Sequence, residues 1–137
     1  MAGLTNEGEE LALNLLFRNT GEIPTNVYLG LATASIDDTD TLSSITEEND
    51  ANYNRQEINF SAPEQISGDG TIKNNSEIVF GPWSADADNP ITHAFITDAS
   101  SGTTGKLLSA FELPESKQPS AEETTKVPLE ECVQSIN

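Results

Sequence analysis

The sequence predicts an all-β domain, a small antiparallel β-sandwich or jelly-roll-like fold, with one α-helix at its N-terminus. Three observations carry this. After Pro24 the apolar residues change from a 3.6-residue to a 2-residue period. Seven or eight short segments of that kind follow, bounded by Gly, Pro, Asn, Asp and Ser at the spacing of small sandwiches and barrels. Only the first 20 residues carry a helical stripe.

The helix comes first. Asn6 followed by Glu9 has the spacing of an N-cap with a capping box, and Glu7, Glu9 and Glu10 sit where the helix dipole favours anions. Leu11 and Leu15, with the adjacent Ala12 and Leu16, make an apolar stripe, and Leu4 is an anchor ahead of the cap. Arg18 falls near the end, and Asn19-Thr20-Gly21 stops the helix. A helix of about three turns with one side to bury needs a partner surface, either its own sheet or a neighbouring subunit.

Val27, Leu29 and Leu31 alternate with Tyr28, Gly30 and Ala32, which predicts a half-buried strand. Residues 36–52 carry six carboxylates and few apolar side chains, and read as a long surface loop. Further strands are expected at Arg55–Ser61, near Thr71–Lys73, and at Ser76–Phe80. Ser67-Gly68-Asp69-Gly70 supplies hairpin-turn chemistry, because glycine accepts positive φ. Thr92–Asp98 and Lys106–Leu113 form the clearest later pair, joined by the Ser100–Gly105 turn. Thr125–Val127 and Cys132–Ile136 are candidates for short final strands. The whole reads as one domain over residues 1–137: a helix and arm at 1–20, the sandwich at 24–113, and an acidic segment at 114–137.

Composition sets the limits. The formal net charge is −17, with 23 acidic residues against 6 basic. Leu, Ile, Val and Phe make up about 23% of the chain, just above the roughly 20% below which so charged a chain stays unfolded. A folded, thin-cored, very acidic domain results. Six cations among 23 anions repel nucleic acid and anionic membrane surfaces alike, so neither is an expected partner. No apolar run reaches the 18 residues of a transmembrane helix. Glutamates precede the greasy Leu11–Phe17 stretch where a signal peptide needs positive charge, so a protein made and kept in a cytoplasm is expected.

Catalytic patterns are weak. His93 is the lone histidine and sits mid-strand, where a hydrogen-bonded structural role outweighs catalysis; no Gly-x-Ser-x-Gly elbow accompanies it. Cys132 is the lone cysteine, which excludes an internal disulfide and a cysteine-based metal cluster and suits a small buried apolar side chain. Asp86-Ala87-Asp88-Asn89 starts like a calcium loop but runs into Pro90, without the Gly and Glu of an EF-hand. No phosphate-cradling loop is present. No enzyme activity, metal or cofactor is expected. Trp83, after Gly81-Pro82, reads either as an exposed anchor or as a lid on the core.

Several segments together resemble one family. They are Gly3–Leu11 (GLTNEGEEL), Pro24–Ala34 (PTNVYLGLATA), Ser44–Glu47 (SITE) with Tyr53 and Arg55, and Ile91–Gly102 (ITHAFITDASSG). The set resembles a group of small structural proteins of tailed bacteriophages, often described as tail fibre proteins, with relatives that act as capsid cement or decoration proteins. Where members carry Gly-Tyr-Ala-Arg, this chain has Asn52-Tyr53-Asn54-Arg55. The resemblance implies a non-enzymatic virion protein, first of all a cement protein on the outer capsid surface. Such a protein binds the major capsid protein as a homo-oligomer, dimer or trimer. A tail, tail-tip or fibre component is the alternative, and an unrelated binding module or cryptic enzyme of a host a third. Interface candidates are the helix Glu7–Phe17 with Leu4, Leu11 and Leu15, together with Tyr53, Arg55 and Trp83, because subunit contacts favour Tyr, Trp and Arg anchors.

Overall fold

A computed structural model describes residues 3–136. The chain runs through β1 (Gly3–Leu4), α1 (Asn6–Leu13), β2 (Val27–Ala32), β3 (Gln56–Ile58), β4 (Glu64–Ile66), β5 (Asp69–Lys73), β6 (Ile78–Phe80), β7 (Ile91–Thr97), β8 (Leu107–Lys117), β9 (Thr125–Val127) and β10 (Val133–Ile136). All pairings between these strands are antiparallel. A five-stranded sheet of order β1-β8-β7-β2-β3 forms one layer; a three-stranded sheet, β10-β5-β4, and a two-stranded sheet, β6-β9, complete the sandwich.

The alternation seen in the sequence explains the inner face. Leu29 and Leu31 of β2 lie beside Ala94 and Ile96 of β7 and pack with Ile58, Ile78, Phe80, Ile91 and Trp83 in the main core. Trp83 is 1% exposed, so the lid reading holds and the anchor reading fails. Its backbone is clamped to the acidic segment, donating to the Glu123 carbonyl and accepting from Glu122 N–H. Residues 114–136 are thereby built into the fold: β8 continues past Pro114 to Lys117, β9 zips to β6, and β10 to β5. Cys132 is buried, as its type suggests, and burial pushes its thiol up to about 11.

The other face of the five-stranded sheet corrects the expectation for residues 36–52. This segment is no solvent loop. Leu42 is buried with Ala32, Phe95 and Leu107, and Ile36 and Ile45 pack beside them. Loop and sheet join through an Ala32–Glu47 bridge and bonds from Thr33 N to Thr46 O and from Glu48 N to Leu31 O. A strand covered on both sides buries both sets of its side chains, so Gly30 and Ala32 are buried along with Leu29 and Leu31. Gly30 is required here, because the Phe95 ring lies where a Cβ would stand.

Asp50 fastens this loop to the next. Its carboxylate accepts from Ser84 N at 3.0 Å, Ser84 Oγ at 2.8 Å, Asn52 N at 2.8 Å and Ala85 N at 3.3 Å. The Ser84 N–H contributes most to lowering its pKa below 3.8. Asp40 is lowered likewise, first by the Asp37 N–H and then by the Ser44 hydroxyl. A carboxylate depressed on folding stabilises fully above its unfolded pKa and loses that contribution as pH falls through its folded value. Asp50→Ala is therefore expected to melt lower than wild type at pH 7. The gap should close by pH 2; a gap unchanged across that range would refute the role of the charge.

Candidate docking interface

The N-terminal helix is placed by its own backbone. Thr5, one residue earlier than expected, is the N-cap: it accepts from Gly8 N at 3.2 Å, and its hydroxyl donates to the Leu107 carbonyl. Thr5 N donates to Leu108 O, and Glu7 accepts from Leu107 N at 2.8 Å. Gly8 packs so closely on the Leu108 carbonyl that a Cβ would overlap it. Leu108 is the odd residue of a bulge, with Thr97 opposite Leu107 and Ile96 opposite Ser109. The helix thus sits on a bulge in β8 through Thr5, Glu7 and Gly8. Its last turn, Asn14–Arg18, widens to a π-turn and ends on left-handed Asn19 at φ 51°.

What this docking leaves outside is the main feature of the surface. Leu11 is buried and Leu15 half-buried, but Leu13, Leu16 and Phe17 are 58%, 72% and 80% exposed. All three lie outside the contact that buries Gly8 and Leu11 against the sandwich. Ile23, in the returning segment, is 79% exposed. A helix that is apolar on both sides, with one side on its own sheet, presents the other for contact. Below it, Glu7, Glu10, Glu22 and Asp98 edge a hollow of about 370 Å3 with Lys106.

The remaining interface candidates are internal. Tyr53 donates to Glu47 Oε1 at 2.9 Å, accepts from Leu31 N at 2.9 Å, and stacks on Phe80. Burial, with the Glu47 charge second, pushes its phenol well above the usual range. The Arg55 side chain is 3% exposed; it pairs with both Glu47 oxygens at 2.9 and 2.7 Å and donates to the Ala99 and Gly102 carbonyls. Neither they nor Trp83 face solvent as anchors, because a thin core recruits its few large side chains inward. Leu4, half-buried on β1, lines a second apolar feature, a cleft of about 420 Å3 between the two larger sheets. The helix Glu7–Phe17 was named as an interface candidate, but within it Leu11 and Leu15 were singled out rather than the exposed Leu13, Leu16 and Phe17. Their signal was an excess of apolar residues in 11–17 beyond what one 3.6-residue stripe absorbs.

His93 is half-buried, its Nδ1 2.9 Å from the Thr92 hydroxyl. Among the described residues no group of three or more His, Cys, Asp or Glu converges as a metal site, and no helix is long and apolar enough to cross a membrane. A family model described as podophage GP4 fiber I protein gp80 matches residues 3–134. The chain belongs to this family. It is a bacteriophage fibre or virion structural protein, and the match spans the helix, the sandwich and most of the acidic segment. No curated protein matches the chain.

Proposed function

We propose that this fiber I family member is a non-enzymatic subunit of the phage's fibre apparatus that attaches to neighbouring virion proteins through its N-terminal helix. The observation that carries the reading is the outward face of Leu13, Leu16 and Phe17 on a helix clamped to the sandwich by its other side. A rigid sandwich with a prefixed apolar corner docks without ordering a flexible arm, which lowers the entropic cost of assembly. The family's description as a fibre protein favours a tail position over capsid cement. The net charge of −17 suits a partner surface with basic groups around an apolar socket.

The test adds purified protein to tails and, separately, to tailless heads from a phage deleted for it, followed by co-sedimentation. Wild type is expected on tails in a few copies. Phe17→Asp should abolish binding while shifting stability by no more than about 0.5 kcal/mol, because the side chain is exposed. Binding to heads in hundreds of copies would instead establish a cement role on the major capsid protein. Binding to neither would overturn the attachment reading.

A further inference from the structure

We infer that the neighbour docked on the helix end brings a basic side chain, and that the hollow beside the helix receives it. This rests on the reading of the helix end as a docking surface, and it states the partner's chemistry: an apolar segment that carries an arginine or lysine. The hollow and the apolar corner belong to one surface. Asn14, which lines the hollow, opens the π-turn that carries Leu16 and Phe17. Glu22, another lining residue, precedes Ile23, which is 79% exposed. Gly21, at φ 98°, runs beside Leu11, Leu15 and Asn14 and so holds the returning chain against the helix. A second hollow, of about 250 Å3, shares Glu22 and Asp98 with the first and is lined by Ile23 and Tyr28 as well.

The carboxylates of the hollow are of two kinds. Glu7 and Asp98 hold the fold, accepting from Leu107 N at 2.8 Å and from Lys106 N at 2.7 Å. Glu10 and Glu22 make no ion pair among the described residues. The helix dipole accounts for Glu7 and Glu9 in the first turn, but its effect fades beyond that turn and gives no reason for Glu10 or Glu22. Two cations of the chain stand near. Lys106 lines the hollow and likewise makes no ion pair among the described residues, and Arg18 donates to Asn14 at its rim. Four carboxylates against these two cations leave the hollow net negative. Its complement is a segment with a cation next to apolar side chains. The apolar part covers Leu16, Phe17 and Ile23, and the long stem of an arginine or lysine lies on apolar surface while its head enters the hollow. There the charged donor makes charge-assisted bonds to Glu10 and Glu22. Acidic surfaces, a second copy of this chain at −17 among them, are turned away by the same carboxylates.

Co-sedimentation of the purified full chain with tails from a phage deleted for it tests this, at low salt and at about 1 M, where screening acts within about 3 Å. Glu10→Gln combined with Glu22→Gln, both at exposed positions, should weaken attachment about tenfold or more at low salt. The gap to wild type should narrow at high salt. Glu57→Gln combined with Glu77→Gln removes the same two charges from exposed positions outside the hollow and should bind as wild type does. Thermal unfolding of both double variants confirms that each is folded. A hollow variant that binds as tightly as wild type overturns the inference. So does an equal loss in the two double variants, because the overall charge alone would then be at play. In either case a Phe17→Asp variant that no longer binds leaves the attachment reading standing. Should Phe17→Asp bind as wild type does, the attachment reading and the basic partner fall together.

Discussion

Trp83→Ala is expected to destabilise the domain by about 3–5 kcal/mol, the cost of deleting a large buried aromatic and leaving its cavity. Against a total stability of about 5–15 kcal/mol for a domain of this kind, that removes a large share. The side chain is 1% exposed and packs in the main core with Ile78, Phe80, Ala87 and Ile91. Gly81, at φ 92°, lies under the indole and admits no Cβ there, so the backbone is shaped around the ring. The loss should reach beyond the core, because the Trp83 backbone holds Glu122 and Glu123 and its collapse frees the segment between β8 and β9. The indole Nε1 has no hydrogen-bond partner. Trp83→Phe removes that orphaned donor along with some volume, so it should cost distinctly less than Trp83→Ala. Urea unfolding of the three proteins checks both. A Trp83→Ala variant as stable as wild type that attaches poorly to tails would restore the anchor reading.

Trp83 also shows where the sequence stops being informative. A single aromatic after Gly-Pro has no period, and only the packing decides between lid and anchor. Elements with a repeating pattern were legible: β2 spans the predicted Val27–Ala32, β9 the predicted Thr125–Val127, and the hairpin turn falls at Ser67–Gly68, both at positive φ. Elements without one were not. β1 has two residues, and all three residues of β4 are exposed, so neither offers an alternation to read. Leu42, Ile36 and Ile45 were hidden because a loop that covers a sheet contacts it at irregular intervals, and six carboxylates dominate its composition. At the helix, the buried side was read correctly from Leu11. The exposed side fell within the helix named as an interface candidate, but Leu16 was assigned to the buried stripe and Leu13 and Phe17 to no face. The cap slipped from Asn6 to Thr5 because both residue types cap, and Thr5 alone also reaches β8.

The second large effect is expected at Arg55, where the same covering loop is held. The guanidinium lies 5.4 Å from the Phe95 ring centroid, and that ring lies on Gly30. Its fork takes both oxygens of Glu47, and its remaining donors reach Ala99 and Gly102 in the β7–β8 turn. One side chain thereby ties the covering loop and the turn to the sheet. Arg55→Ala leaves Glu47, whose side chain is 25% exposed, with only the Tyr53 hydroxyl, and strands two carbonyls. The expected cost is about 3–5 kcal/mol, as for a broken buried pair. Arg55→Lys should recover only part of it, because an ammonium cannot match a carboxylate with two parallel bonds or stack flat on Phe95. A cycle with Glu47→Gln should be non-additive by 0.5 kcal/mol or more, the signature of groups sharing a network. The effect should also reach attachment. The turn that Arg55 holds runs on through Lys106, whose N–H binds Asp98, into Leu107 and Leu108, which carry the helix. Hydrogen exchange of Arg55→Lys under native conditions should therefore show faster opening at Leu107 and Gly8 as well as at Ala99. Equal protection at the helix, with loss confined to the covering loop, would mean that the docking corner is held by β8 alone.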